Sequence, residues 1–167
     1  MTADHQPKLW HKDLGQCVLC WLATVDGTGQ PNVSPKEIWT VFDDQHLVIA
    51  HIASPVSFKN IQLNPKVCVS LIDIFVQKGW KLQGHAHYEN ANEPKFHTWA
   101  NQLQAMAGEK FKLQGVIVVK VEQAQPIWAP SYRFYPDSTS EKAQMMAAMK
   151  AYGVRPLPYD QTPGGVA

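Results

Sequence analysis

The chain has 167 residues, 45% of them hydrophobic and 17% charged, which is the usage of one globular domain able to close a sizeable core. Fifteen Lys and Arg against fourteen Asp and Glu leave a net charge of +1, and no basic cluster exceeds two residues, so the electrostatic footprint of a nucleic-acid binder is missing. Apolar stretches such as 115–119 stop well short of a membrane span and MTADHQPKLWHKD lacks a signal-peptide apolar region, so no membrane is expected and the expected address is the cytoplasm.

Cys17 and Cys20 open the first strand-like run, 17–25, as C-x-x-C. Residues three apart in a strand point to opposite faces, whereas a redox or zinc pair needs converging sulfurs, so these read as core cysteines. With Cys68 they make an odd count and are expected reduced. Asp26-Gly27-Thr28-Gly29 supplies a tight reversal into a second strand, 32–42. Pro35 has no amide proton, which places 32–35 at a sheet edge or bulge, with neighbouring backbone groups free for a ligand.

Residues 43–46 form a turn into the short, mostly buried strand 47–51. Ser54 is the expected N-cap and Pro55 the first residue of a short helix ending at Asn64-Pro65. Strands at 67–75 and 80–88 alternate about a Gln77-Lys78-Gly79 turn. From Glu93 the spacing becomes helical, with Phe96, Trp99, Ala100, Leu103, Met106 and Ala107 on one stripe and Gly108 at the exit. A strong strand at 115–121 runs on toward Ile127-Trp128. Ser138-x-x-Glu141 reads as a capping box for a last helix bearing Met145, Met149 and Tyr152, closed by Gly153.

Strands joined by hairpins, with one helix across an opening and another packed outside, imply a mainly β fold: an antiparallel barrel with flanking helices. Residues 1–136 form the barrel with an N-terminal extension, and 137–167 add a helix and proline-rich tail to the same domain. So small a barrel fills its interior with side chains, so a large ligand binds outside it or at a subunit boundary.

The chemistry concentrates in His51-Ile52-Ala53-Ser54-Pro55-Val56-Ser57-Phe58-Lys59-Asn60. Two hydroxyls and unpaired amides at a helix start attract an anion, phosphate above all, and Lys59 adds a cation. Lys36 alternates onto the same face as Ser34 and Ile38 and is a second candidate. Read from the residues alone, the alternative stands beside this: Ser54 and Ser57 cap the helix, and both lysines are solvated.

The succession WLATVDGTGQPNVSPK, LVIAH, SFKNIQLNPKVCVSL and GWKLQGHA resembles the split-barrel flavoproteins related to pyridoxamine 5′-phosphate oxidase, over Cys17 to about Trp128. The resemblance implies a six-stranded antiparallel split barrel, a homodimer, and FMN in the clefts between subunits. It places Ser34, Pro35, Lys36, Glu37, Ile38, Ala50, His51 and Ile52 along the flavin, Ser54, Ser57, Phe58 and Lys59 toward its phosphate, and Trp80 and Lys81 near the cofactor. Two departures stand out. Ser57 occupies a position where relatives often carry Lys or Arg, and 131–136 lacks the arginine-and-histidine signature of the true oxidases, so vitamin B6 oxidation is not expected. An FMN-dependent oxidoreductase using NAD(P)H or another reductant on a small molecule is the first expectation, with no catalytic side chain assigned. A haem-handling protein, through His85, His87 and His51, and a non-catalytic flavin or deazaflavin binder are the alternatives. Trp39 or Trp80 could stack on a flavin, although core or interface packing is the commoner role of such residues.

Overall fold

A computed structural model of the chain describes residues 10–12, 14, 16–109 and 111–156. These divide into two compact units, one running to Asp73 and resuming over Lys78–Ile127, the other made of Ile74–Gln77 and the residues from Trp128 onward.

The first unit is a single curled antiparallel sheet. Its strands are β1 (Cys20–Val25), β2 (Pro31–Lys36), β3 (Trp39–Val41), β4 (His46–His51), β5 (Lys66–Asp73), β6 (Lys78–Asn90) and β7 (Gly115–Trp128), with helices α1 (Pro55–Leu63) and α2 (Phe96–Ala107). The spatial order is β2-β1-β5-β6-β7-β4-β3. The edge strands β2 and β3 are therefore neighbours in sequence, separated only by Glu37 and Ile38. Three peptide units span at most ~11 Å, so the two edges must curl toward each other, which makes the sheet a split barrel.

Seven strand segments stand where six were expected, because the run 32–42 does not pair as one strand. Its first half pairs with β1 and its second with β4. Ile38 O accepts from Ala50 N at 2.9 Å as the chain crosses. The proline-bearing strand β2 lies at the edge, where missing amide protons cost no ladder bond. In the first hairpin Asp26 Oδ1 accepts from Thr28 N (2.8 Å), Thr28 Oγ1 (2.7 Å) and Gln30 N (2.9 Å), and Gly29 takes a φ of 91°.

Two apolar layers share β4 and β7. Leu47, Ile49, Ile117 and Val119 join Cys20, Leu22, Val69, Leu71 and Leu82 inside the barrel. Val48, Ala50, Val116 and Val118 face outward onto Phe96, Ala100 and Leu103 of α2. Both faces being covered, these strands read as unbroken apolar runs rather than alternating ones. Helix α1 instead contacts β1, β2 and β6.

Cys17 precedes β1 rather than lying in it, and it is half-buried. Cys20 is fully buried, and desolvation pushes its thiol up to about 12, so it is inert at neutral pH. None of the three cysteines is in a disulfide. No helix among the described residues is long and apolar enough to cross a membrane.

In the second unit, α3 (Pro130–Phe134) was not foreseen, since five residues are too few for a periodic signal. Helix α4 (Glu141–Tyr152) is capped by Ser140, whose Oγ accepts from Ala143 N at 3.1 Å, not by Ser138. Glu141 is thus the first residue of the helix, favourable to its dipole but too early for a reciprocal capping box. The helix ends at left-handed Gly153, as expected. The residues after Pro156, with the proline-rich tail, lie outside the described set.

Candidate functional site

The β1–β2 register sets Lys36, Ser34 and Asn32 opposite Cys20, Leu22 and Thr24, on the face that α1 covers. Ser34 Oγ and Ser57 Oγ lie 3.0 Å apart. Asn32 Nδ2 donates weakly to Thr24 Oγ1 (3.4 Å), Ser34 Oγ (3.4 Å) and Ser57 Oγ (3.5 Å), and Asn60 Nδ2 donates to Thr24 Oγ1 at 3.0 Å. Thr24, Ser57 and Asn60 are buried, so this network satisfies side chains that would otherwise be costly to enclose.

Lys36, at the end of the row, is 6% exposed and donates to Ser54 Oγ. No carboxylate among the described residues pairs with it. Burial holds its ammonium below the usual lysine range, with a smaller opposing influence from Cys20. An enclosed cation without a counter-charge is an unfavourable arrangement that an incoming anion relieves.

The start of α1 offers that anion its donors. Pro55 occupies the first turn, and the amide of Phe58 bonds Ser54 O at 3.1 Å. Ser54 sits at the N-cap position but makes no side-chain cap, contrary to expectation; its hydroxyl accepts from Lys36 instead. The amides of Val56 and Ser57 consequently have no acceptor among the described residues. Two orphan N–H groups and one buried ammonium thus meet at one helix end, which suits a phosphate-sized oxyanion.

Beside this seat lies His51, 6% exposed. Its imidazole is held below the usual histidine range, first by burial and then by the charge of Lys36, which keeps it neutral at pH 7. Its ring lies 5.8 Å from Phe58 and 5.2 Å from Tyr88, and these two are 4.5 Å apart. Tyr88 Oη donates to Gln114 O at 3.0 Å. Gly115, which pairs with His51, is required there, since a Cβ would come within 2.2 Å of Tyr88 Oη. Phe58 and Tyr88 also line a cleft of 430 Å³, together with Ile61, Gln62, Pro65, Ala86, His87, Asn90 and Glu93.

Of the residues singled out from the sequence, Ser34, Lys36, Ser54 and Ser57 gather in this cluster and His51 stands beside it, whereas Ala50 and Ile52 pack toward α2. Phe58 flanks it on α1. Pro35 and Glu37 are exposed, while half-buried Ile38 packs toward α2. Lys59 is exposed on α1 and belongs to none of these hydrogen bonds. Trp80 packs against the barrel core opposite Leu71, and Lys81 stands opposite Ser70 and close enough to Cys68 to act on its thiol. Thr24, Asn32, Asn60 and Tyr88 were missed. Asn32 was findable, lying two residues before Ser34 on an alternating strand, and so was Asn60, three residues after Ser57 on a helix.

His85 Nδ1 lies 2.7 Å from Glu122 Oε1, and His87 Nε2 lies 3.8 Å from Glu89 Oε2. Among the described residues no three His, Cys, Asp or Glu side chains converge as a metal site would require.

The sequence model of the family described as pyridoxamine 5′-phosphate oxidase matches residues 8–135. Among solved structures, a candidate pyridoxamine 5′-phosphate oxidase from Lactobacillus delbrueckii is 24% identical, covering 75% of this chain and 99% of that one, with a TM-score of 0.60. An FMN-binding protein from Syntrophomonas wolfei is 15% identical over 67% of this chain and 78% of that one (TM-score 0.58). An F420 reductase is 19% identical over 74% of this chain and 98% of that one (TM-score 0.52). No curated protein gives a significant sequence match.

Proposed function

This chain belongs to the pyridoxamine 5′-phosphate oxidase family, and from that premise we propose that it binds FMN by the phosphate and serves as an FMN-dependent oxidoreductase. The observation that carries the reading is the buried, carboxylate-free Lys36 beside the uncapped amides of α1. A phosphate ester there would take charge-assisted hydrogen bonds from Lys36 and from the amides of Val56 and Ser57. Likeness of fold to an FMN-binding protein supports the same reading. Likeness to an F420 reductase keeps a phosphorylated deazaflavin as the second cofactor.

FMN, when bound, supplies one- and two-electron transfer on its own, so the chain needs no nucleophile. Lys36 holds the anionic end, Ser54 orients Lys36, and the Asn32–Ser34–Ser57 network keeps β2 and α1 in register. An NAD(P)H or other small reductant and a small-molecule acceptor complete the proposed reaction in the cytoplasm.

The proposal includes a homodimer with cofactor at the subunit boundary. The face of β1 and β2 turned away from the barrel interior exposes Trp21 (42%), Val33 (58%) and Pro35, which the register places side by side. A second copy would bury these apolar groups. Isothermal titration of the purified protein with FMN, alongside sedimentation analysis, tests the reading. Micromolar or tighter FMN binding by a dimer is expected; absence of FMN binding overturns it.

A further inference from the structure

Strand β3 is one of the two free edges of the sheet, and its outward peptide groups lack a partner. Ala50 N donates to Ile38 O at 2.9 Å and Phe42 N to His46 O at 2.8 Å, which makes Ile38, Thr40 and Phe42 the residues bonded to β4. In an antiparallel ladder such residues alternate with others whose peptide groups face the opposite way, so the N–H and C=O of Trp39 and Val41 point out of the edge. Among the described residues no backbone group answers them, and Val41 O receives only a weak bond from Thr40 Oγ1 at 3.4 Å. Trp39 is 8% exposed, and peptide groups so enclosed are seldom left unpaired. The other edge, β2, is blunted by Pro31 and Pro35, whereas β3 carries neither proline nor lysine.

A cleft of 550 Å³ is lined by Glu37, Trp39, Thr40 and Val41, together with the apolar Leu14 and Met106. We propose that this cleft binds a short, extended, basic peptide, which adds to Trp39 and Val41 as an eighth strand. The peptide supplies what the edge lacks, an N–H and a C=O facing each free pair, and an extended backbone repeats that match along its length. Its paired stretch is about three residues, because Trp39 to Val41 covers only about 7 Å before the chain turns at Asp43. The charge follows from Glu37, which is exposed and has no ion pair among the described residues, while no lysine or arginine lines the cleft. His11, another lining residue, holds Asp44 (Nε2 to Oδ1, 3.3 Å), a second carboxylate at the same wall. A cationic side chain on the peptide complements these groups, and an anionic one meets repulsion. The site uses neither Lys36 nor the amides of α1, so it stands or falls apart from FMN binding.

The probe is acetyl-lysyl-valyl-lysine amide, titrated into the whole protein and followed by the ¹H–¹⁵N signals of β3. The Val41 amide is expected to shift saturably and to exchange more slowly with solvent, whereas the Thr40 amide, already bonded to β4, keeps its exchange rate. The same tripeptide built with N-methylvaline, which has lost the central donor, should bind at least ~10-fold more weakly, and the glutamyl counterpart at least ~3-fold more weakly. Val41→Pro removes an outward N–H and leaves the ladder to β4 intact; circular dichroism should show it folded, and it should bind at least ~10-fold more weakly, read on the Trp39 amide. Should that variant not fold, the N-methylated peptide decides on its own. Glu37→Gln should narrow the gap between the lysyl and glutamyl peptides. The proposal is overturned if the Val41 signal stays in place up to ~5 mM peptide, if the N-methylated or glutamyl peptide binds as well as the probe, or if folded Val41→Pro binds as the parent does.

Discussion

Lys36 donates to Ser54 Oγ across eighteen residues of chain, and the same hydroxyl, at the N-cap position of α1, makes no bond to the helix's first amides. Helix end and buried cation are therefore left wanting together, and the same ligand answers both.

Replacing Lys36 by Met should separate binding from stability. A charge-assisted hydrogen bond contributes roughly 1.5–3 kcal/mol, so FMN affinity should fall at least ~10-fold. Thermal stability of the ligand-free variant should equal or exceed that of the parent, since an enclosed unpaired cation has been removed. Lys59→Ala, by contrast, alters an exposed charge, and its effect on affinity should stay under ~3-fold. Calorimetric titration with paired melting curves reads both quantities. A large loss with Lys59→Ala and none with Lys36→Met would place the anion elsewhere.

The depressed Lys36 also imposes a pH signature. Between its folded-state pKa and the ordinary value of 10.5, the unfolded chain binds more protons than the folded one, so stability rises with pH across that window. Denaturant melts of the ligand-free protein should show this alkaline rise, and Lys36→Met should abolish it. Phosphate-ester affinity should move the opposite way, weakening as pH climbs through the folded pKa and the ammonium loses its proton.

His51 acts at the acid end by the same logic. Its folded pKa lies below the usual 6.5, so stability climbs as pH rises through the interval up to 6.5, and below that interval the cost of charging a buried ring is felt in full. A folded His51→Phe variant should melt with a flatter profile just below pH 6.5.

Helix α4 supplies a contrast. Ser140→Ala removes the bond to Ala143 N and should cost about 1 kcal/mol. FMN affinity should not change, because the lost bond is local to the first turn of α4 and involves none of the anion-seat residues. Urea melts measure the first expectation and titration the second.

What could be read from the sequence follows the range of the interactions involved. The Asp26–Gly29 reversal, the start of α1 at Pro55 and the exits at Gly108 and Gly153 were legible because each depends on the conformational limits of one or two residues. The curled antiparallel barrel followed from hairpin order. The break between β2 and β3 was not legible, since Glu37 and Ile38 carry no turn chemistry and the interruption arises from strand partners at opposite edges. The capping-box spacing pointed to Ser138, whereas the backbone enters the helix two residues later, at Ser140. At the candidate site, alternation and helix position were enough to single out Ser34, Lys36, Ser54 and Ser57, which the structure brings together. The hydroxyl partners could not be read this way, since which serine faces which depends on how α1 crosses β2.

Lys36 is also the last residue of β2, and Trp39, the first of β3, is fastened to the far margin of the sheet. The seam along which the barrel would unzip therefore passes beside the ammonium that seats the anion. A bound phosphate ester would act as a rivet across that seam, and amide hydrogens of β2 and β3 should become slow to exchange in concert when it is in place.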